Sequence, residues 1–217
     1  MSDQPIAPPA VPQGTVVSSP VSGRGSEDAV TRALELVRLF ADPGPSFATF
    51  RSVGREEVPE PARTLLDHTR HMTVAMEAHH GAPLGLRVVA RARDLGGADG
   101  GNPWYAREIL LLSPQGVLVQ YGIVRINLAH VDRATAAAIR AARIPLGRVL
   151  INAGLLREVH DVSLLEVRPG PRLASLFGGL PVPGVASAPT YGRVAEISLG
   201  GHSAVELLEV VIPPPAA

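Results

Sequence analysis

The sequence predicts an α+β fold: an antiparallel sheet with helices packed on one side. Three observations carry this. Two pairs of strand-like runs are joined by short turn signals, as hairpins are. Residues 106–112 and 117–127 flank Ser113-Pro114-Gln115-Gly116, and residues 193–199 and 204–212 flank Gly200-Gly201. Helical periodicity is confined to a few segments that flank these hairpins and do not alternate with single strands, which disfavours a parallel βαβ sheet. No internal repeat is visible.

Residues 1–25 are rich in Pro, Ser, Gly and Val without periodicity and read as a disordered tail, ahead of one domain over 26–213 and a short tail over 214–217. Ser26 is a suitable N-cap, with Glu27 and Asp28 in the first turn. Val30, Leu34, Val37 and Phe40 share a helical face, and Asp42-Pro43-Gly44 ends that helix. A second helix is expected over 60–80, with Leu65, Thr69, Met72 and Met76 inward and Gly81 as its stop. Residues 86–93 alternate imperfectly and open the strand region. Asp132 caps an alanine-rich helix running to about Arg143. Residues 146–151 and 156–167 read as mixed or strand-like. The Pro/Gly-rich stretch 168–190 is long for a loop in a compact domain and suggests a lid or disorder. Pro213-Pro214-Pro215 ends the last strand.

At 217 residues the chain can bury a full core. Its formal net charge is +0, so it carries no electrostatic footprint for nucleic acid or an anionic membrane. It has no cysteine, which removes disulfides, thiolate metal sites and cysteine nucleophiles. It has no lysine either, which removes Schiff-base chemistry and a lysine P-loop. No stretch is long and apolar enough for a membrane helix, and the N-terminus lacks the basic and apolar regions of a signal peptide, so a cytoplasmic location is the expectation.

Side chains alternate between the faces of a strand. Arg107 therefore points the same way as Ile109 and Leu111, and Glu209 the same way as Leu207 and Val211. If those faces line the core, each carries a charge whose burial is costly without a partner. Three explanations stand: a solvated face, an ion pair between the two, or a ligand site, where an arginine suits bidentate capture of a carboxylate. His68 and His71 stand at i, i+3, with His79-His80 after them, but no HExxH or EF-hand pattern accompanies them, and no metal is expected. Gly96-Gly97 and Gly100-Gly101 lead into a strand and not a helix, so a dinucleotide site is not supported. No GxSxG elbow is present.

Four segments together resemble the chorismate pyruvate-lyase family. They are His71-Met72-Thr73 with Met76-Glu77; Trp104-Tyr105-Ala106-Arg107-Glu108-Ile109-Leu110-Leu111; Pro145-Leu146-Gly147-Arg148-Val149-Leu150 followed by Leu156-Arg157-Glu158; and Glu209-Val210-Val211-Ile212-Pro213. Their order and approximate spacing agree with the family from about Leu65 to Pro213. The resemblance implies a chorismate lyase-like antiparallel sheet of about six strands, with helices on one side and a buried site. It implies that Arg107 holds a ring carboxylate with help from the backbone amide of Leu146. It also places Glu209 near a ring hydroxyl, beside Met72 and Thr73. The chain departs from the family in its long 168–190 stretch, in its first helix, and in having only Arg193 where the family opens its closing hairpin with an arginine-rich run.

The activity so implied is elimination of pyruvate from chorismate to give 4-hydroxybenzoate, a step of ubiquinone or other aromatic-acid biosynthesis. Aromatisation drives the step, so no cofactor is expected. Arg107 would anchor the substrate and Glu209 would bind the hydroxyl or act as general base. The alternative is a non-catalytic protein of the same fold that binds or senses a small aromatic acid. Both readings expect a small-molecule partner and no nucleic acid; neither fixes the oligomeric state.

Overall fold

Seven extended segments, alternating in burial at the sheet's edges and buried on both faces at its centre, pair into one sheet. The structure is a computed structural model, and it describes residues 24–92, 103–155, 157–178 and 189–212. The strands are β1 (Ala48–Ser52), β2 (Gly85–Ala92), β3 (Trp104–Leu112), β4 (Leu118–Asn127), β5 (Arg157–Pro169), β6 (Thr190–Leu199) and β7 (His202–Val211). Their order across the sheet is β1-β5-β6-β7-β4-β3-β2, and every pairing is antiparallel. The α+β class and the antiparallel sheet are as the sequence predicts. The additional strand is β1, which lies just past the end of the first helix and pairs with the far end of β5. Both anticipated hairpins form. Ser113 Oγ accepts from the amides of Gln115 and Val117, both at 3.3 Å, and Gly116 takes φ 78°. Gly200 and Gly201 both have positive φ, as a two-residue hairpin turn requires.

Helices α2 (Ala62–Leu66), α3 (Met72–His80), α4 (Arg133–Ala141) and α5 (Leu146–Asn152) pack on the sheet face that presents Ile109, Val124 and Leu207. Asp132 caps α4 as expected, its Oδ1 accepting from the Thr135 amide at 2.8 Å. The strand-like reading of 146–151 is overturned. Leu146, Val149 and Leu150 recur at i, i+3, i+4 and are all buried, which is the helical period.

The single helix expected over 60–80 is two helices, α2 and α3, separated by residues 67–71. Asp67 (ψ 72°) and His71 (ψ 130°) leave the helical region, and Thr69, expected inside, is exposed. Periodicity hides this break because Leu65, Met72 and Met76 stay on one side whether or not the chain is helical between them. His68 and His71 consequently do not share a helix face.

The sheet carries helices on both faces and not on one as expected: the opposite face is covered by α1 (Arg24–Arg38) and α6 (Pro171–Leu176), because the central strands are apolar on both sides. Helix α1 begins two residues before Ser26, which is therefore not its N-cap. Its inner face is Ala29, Ala33, Leu36 and Val37, rotated from the expected stripe, because the small alanines let the backbone approach the sheet. Of the stretch 168–190, residues 168 and 169 complete β5 and α6 follows, with Leu173 buried in this second layer. That described part lies on the far side of the sheet from the apolar face carrying Arg107 and Glu209. Residues 179–188, like the tail 1–23, the glycine loop 96–101, Leu156 and the prolines 213–215, lie outside the described residues.

One charged network joins α6 to the sheet. Glu108 is 0% exposed and accepts two bonds from Arg172, at 2.8 and 2.9 Å, and one from the Tyr121 hydroxyl at 2.8 Å. Burial pushes the Tyr121 phenol well up, reinforced by the Glu108 charge, so it stays a donor. Removing one partner of such a pair strands a buried charge, at a cost of about 3–5 kcal/mol, whereas replacing both by apolar groups is often neutral. Arg172→Met is therefore expected to lower the midpoint of chemical unfolding strongly, and the double variant Glu108→Leu/Arg172→Met to recover most of the loss; equal midpoints for Arg172→Met and parent would show that the network carries no stability.

Candidate functional site

The site is built on three cross-strand rows of the face covered by α2–α5. Register places Arg107, Val124, Leu207 and Ala195 in one row, Ile109, Gly122, Glu209 and Arg193 in the next, and Leu111, Gln120, Val211 and Tyr191 in the third. Successive rows are two residues, about 7 Å, apart along the strands. Gly122 leaves the middle row hollow at its centre. A Cβ there would meet Leu208 O at 3.4 Å and Ile109 Cγ1 at 3.5 Å, so a methyl group would fit by occupying the hollow.

The hollow is a cavity of about 40 Å³. Its polar edge is formed by His71, Thr73, Gln120, Arg193 and Glu209, and its roof by the first residues of α3 and α5, Met72 and Leu146 among them. The two helices close on each other through Gly147, where a Cβ would stand 3.1 Å from Thr73 Oγ1, and through an ion pair between Arg148 and Glu77. A void of this size holds water, whereas one of about 150 Å³ takes a benzene ring. An aromatic guest would therefore have to displace side chains. His71 and Val159 also line a wider cleft of about 470 Å³ with Thr69, Arg70, Leu155, Arg157 and Glu158, which gives the cavity a mouth.

The two buried arginines of this face differ sharply. Arg193 is 0% exposed and fully engaged: its Nε donates to Glu209 Oε2 at 2.7 Å, and its terminal nitrogens donate to the carbonyls of Leu66 (3.2 Å), His68 (2.7 Å) and Arg70 (3.3 Å). These are carbonyls exposed by the break between α2 and α3. Arg107 is also 0% exposed, but it makes only long contacts, 3.4 Å to Ile139 O and 3.5 Å to Ile144 O, and its Nε has no partner. Among the described residues no carboxylate lies within ion-pair distance of it. Burial lowers its pKa, with the Tyr105 phenol opposing and Arg91 adding to the shift. The Tyr105 hydroxyl is buried beside this guanidinium and interacts with it, without a closer partner of its own among the described residues.

The mouth is held by His71. Its Nε2 accepts from Arg157 Nε at 2.6 Å. Burial, then the charges of Arg157 and Arg193, press its pKa down to about 4, so the ring is neutral at pH 7. His68 is pushed down in the same way, by burial and then by Arg193 and Arg70.

Of the residues singled out in the sequence, Met72, Thr73, Leu146 and Glu209 meet around the cavity. Arg107 stands one row away, its guanidinium against the α4–α5 connection instead of the cavity wall. Glu209 does form an ion pair, but with Arg193 and not with Arg107. Gln120 escaped the sequence analysis, and Arg193 entered it only as what remains of the family's arginine-rich run, not as a site residue. Arg193 was detectable by the alternation that marked Arg107, since Arg193, Ala195 and Ile197 share a face. Gln120 was not, because β4 is buried on both faces from Val119 to Val124 and shows no alternation.

No protein-family profile matches the chain, and no curated protein matches it. Among solved structures it is similar to PhnF from Mycobacterium smegmatis, at 16% identity and a TM-score of 0.50, covering 66% of this chain and 64% of that one. It is also similar to the ligand-binding domain of a putative GntR-family transcriptional regulator from Bordetella bronchiseptica (14% identity, TM-score 0.44, 59% and 85% covered). A third is the C-terminal domain of a histidine utilization repressor from Pseudomonas syringae pv. tomato (11% identity, TM-score 0.40, 62% and 99% covered). The chain thus spans about 64% of the length of PhnF, and at this identity the likeness is one of fold alone: an α+β, chorismate lyase-like sheet.

Proposed function

We propose that this chain is a small-molecule-binding domain that takes a small aromatic carboxylic acid and does not transform it. The observation that carries the proposal is Arg107: a fully buried guanidinium with no carboxylate at ion-pair distance among the described residues, two long contacts and an unpaired Nε. A buried charge without a partner is costly, and a bound carboxylate would supply one. The buried Tyr105 hydroxyl, two residues away and beside the guanidinium, offers that carboxylate a further donor. Glu209, one row down and one strand beyond Gly122, is spaced to receive a hydroxyl at the other end of a single ring, with Met72, Thr73 and Leu146 above it.

Turnover is disfavoured by the same geometry. In the lyase reading Glu209 serves as general base. Here its carboxylate neutralises Arg193, and protonating it would leave that guanidinium buried without its anion. Glu209 therefore suits the role of a fixed acceptor.

Titration calorimetry with 4-hydroxybenzoate tests the site. Charge-assisted hydrogen bonds contribute about 1.5–3 kcal/mol, so Arg107→Lys, which loses the planar fork, is expected to weaken binding by about ten- to a hundredfold. Arg107→Met should fold as well as the parent and not bind; parent-like affinity in both variants would remove Arg107 from the site. Gly122→Ala should leave stability equal or slightly raised, since alanine suits a strand better than glycine, and should weaken binding by filling the hollow. Unchanged affinity would place the ligand elsewhere. Incubation with chorismate, followed by chromatography, is expected to yield neither 4-hydroxybenzoate nor pyruvate above the uncatalysed level; their formation, abolished in Glu209→Gln, would establish the lyase in place of the binder.

A further inference from the structure

Gln120 occupies the third row of the site face, between Leu111 and Val211, and is 2% exposed. It lines the cavity, and its Oε1 is buried without a hydrogen-bond partner. An unpaired buried amide oxygen costs about 1–3 kcal/mol. Its row neighbours on β3 and β7 are apolar, so an apolar side chain at this position would pack at lower cost. The amide nonetheless sits in the wall of the hollow beside Gly122.

Glu209 lies on the strand next to Gln120, diagonally across from it, opposite Gly122. Diagonal neighbours of an antiparallel pair are about 7–8 Å apart at the backbone, within reach of two long side chains converging on one guest. The inner end of the cavity therefore presents two acceptors, the Glu209 carboxylate and Gln120 Oε1. One ring hydroxyl has a single proton and can donate to only one of them. The rest of the sheet's contribution to this wall is apolar, Ile109, Leu111 and Leu207 among it, apart from Arg193, which is already engaged with Glu209.

Resting on the binding reading above, we infer that Gln120 is a specificity-determining residue that requires a second hydrogen-bond donor on the ligand, next to the one received by Glu209. The ligand class is an aromatic acid bearing two adjacent donors, hydroxyl or amino, at the end opposite its carboxylate. A monohydroxy acid leaves Gln120 Oε1 unpaired and binds more weakly.

The test compares the parent with Gln120→Met, which keeps length and volume and removes the amide. Calorimetry is run with 4-hydroxybenzoate, 3,4-dihydroxybenzoate and 3-amino-4-hydroxybenzoate. The parent is expected to prefer at least one of the two-donor acids to 4-hydroxybenzoate by about five- to tenfold, the contribution of one neutral hydrogen bond. Which of the two is preferred separates hydroxyl from amino as the donor. Gln120→Met is expected to lose that preference, so that the three acids bind it within about twofold of one another. Equal affinities for all three acids in the parent, or a preference that survives in Gln120→Met, overturns the inference and leaves the aromatic-acid reading intact. Should the parent bind none of the acids, that reading fails instead, and thermal unfolding without ligand decides on Gln120. An equal or higher midpoint for Gln120→Met marks the amide as kept for a ligand. A midpoint lower by several degrees shows that it supports the fold, and the inference is wrong.

Discussion

The arrangement of this face depends on the guanidinium of Arg193. It lies at the centre of the molecule, on the second strand from β4, and reaches in two directions at once. Toward the sheet it neutralises Glu209. Toward the helices it binds the carbonyls of Leu66, His68 and Arg70. Without those bonds, a non-helical turn at 67–71 would bury carbonyls with no donor, and the segment would favour one continuous helix. The break lets α3 begin at Met72, directly over the hollow, and it carries His71 to the mouth. A single buried cation thus fixes the position of a helix start, of an acceptor and of an entrance.

The contrast between the two arginines explains what could be read from the sequence. Alternation shows that Arg107 and Glu209 each sit on an apolar face, and both are buried. It cannot show which partner each finds, because partnership depends on strand order. Arg107 and Glu209 are separated by β4 and by one row, and β6 brings Arg193 alongside Glu209. The fold was legible to the same degree. The hairpins are encoded locally by Ser113–Gly116 and Gly200-Gly201, and their boundaries follow. Strand β1 is five residues long and pairs only with β5, far along the chain, while the Asp42-Pro43-Gly44 signal ahead of it reads only as a helix stop. The division of 60–80 and the helical state of 146–152 both depend on contacts from elsewhere in the chain, which a window of neighbouring residues does not contain.

Hydrophobic periodicity also gave the right helix with the wrong face in α1. The large side chains Val30, Leu34 and Phe40 are only partly covered, while Ala29 and Ala33 are fully buried. Close packing against a sheet rewards small residues at the contact line, with larger ones splayed to its sides. A pattern search weighted by side-chain size therefore rotates the helix outward.

Arg107 and Glu108 are adjacent in the chain and face opposite layers, each 0% exposed. Beneath α4 and α5 there is a cation; beneath α6, an anion already matched by Arg172 and Tyr121. Sliding β3 by one residue against β4 would exchange them, setting Glu108 against carbonyl oxygens and Arg107 against Arg172. Hydrophobic strands buried on both faces ordinarily lack a strong penalty for such slippage, because either side of the strand is oily. Here the dipeptide acts as a polarity key. It admits one alignment of the central hairpin during folding and rejects its nearest competitor, a safeguard separate from anything the pocket binds.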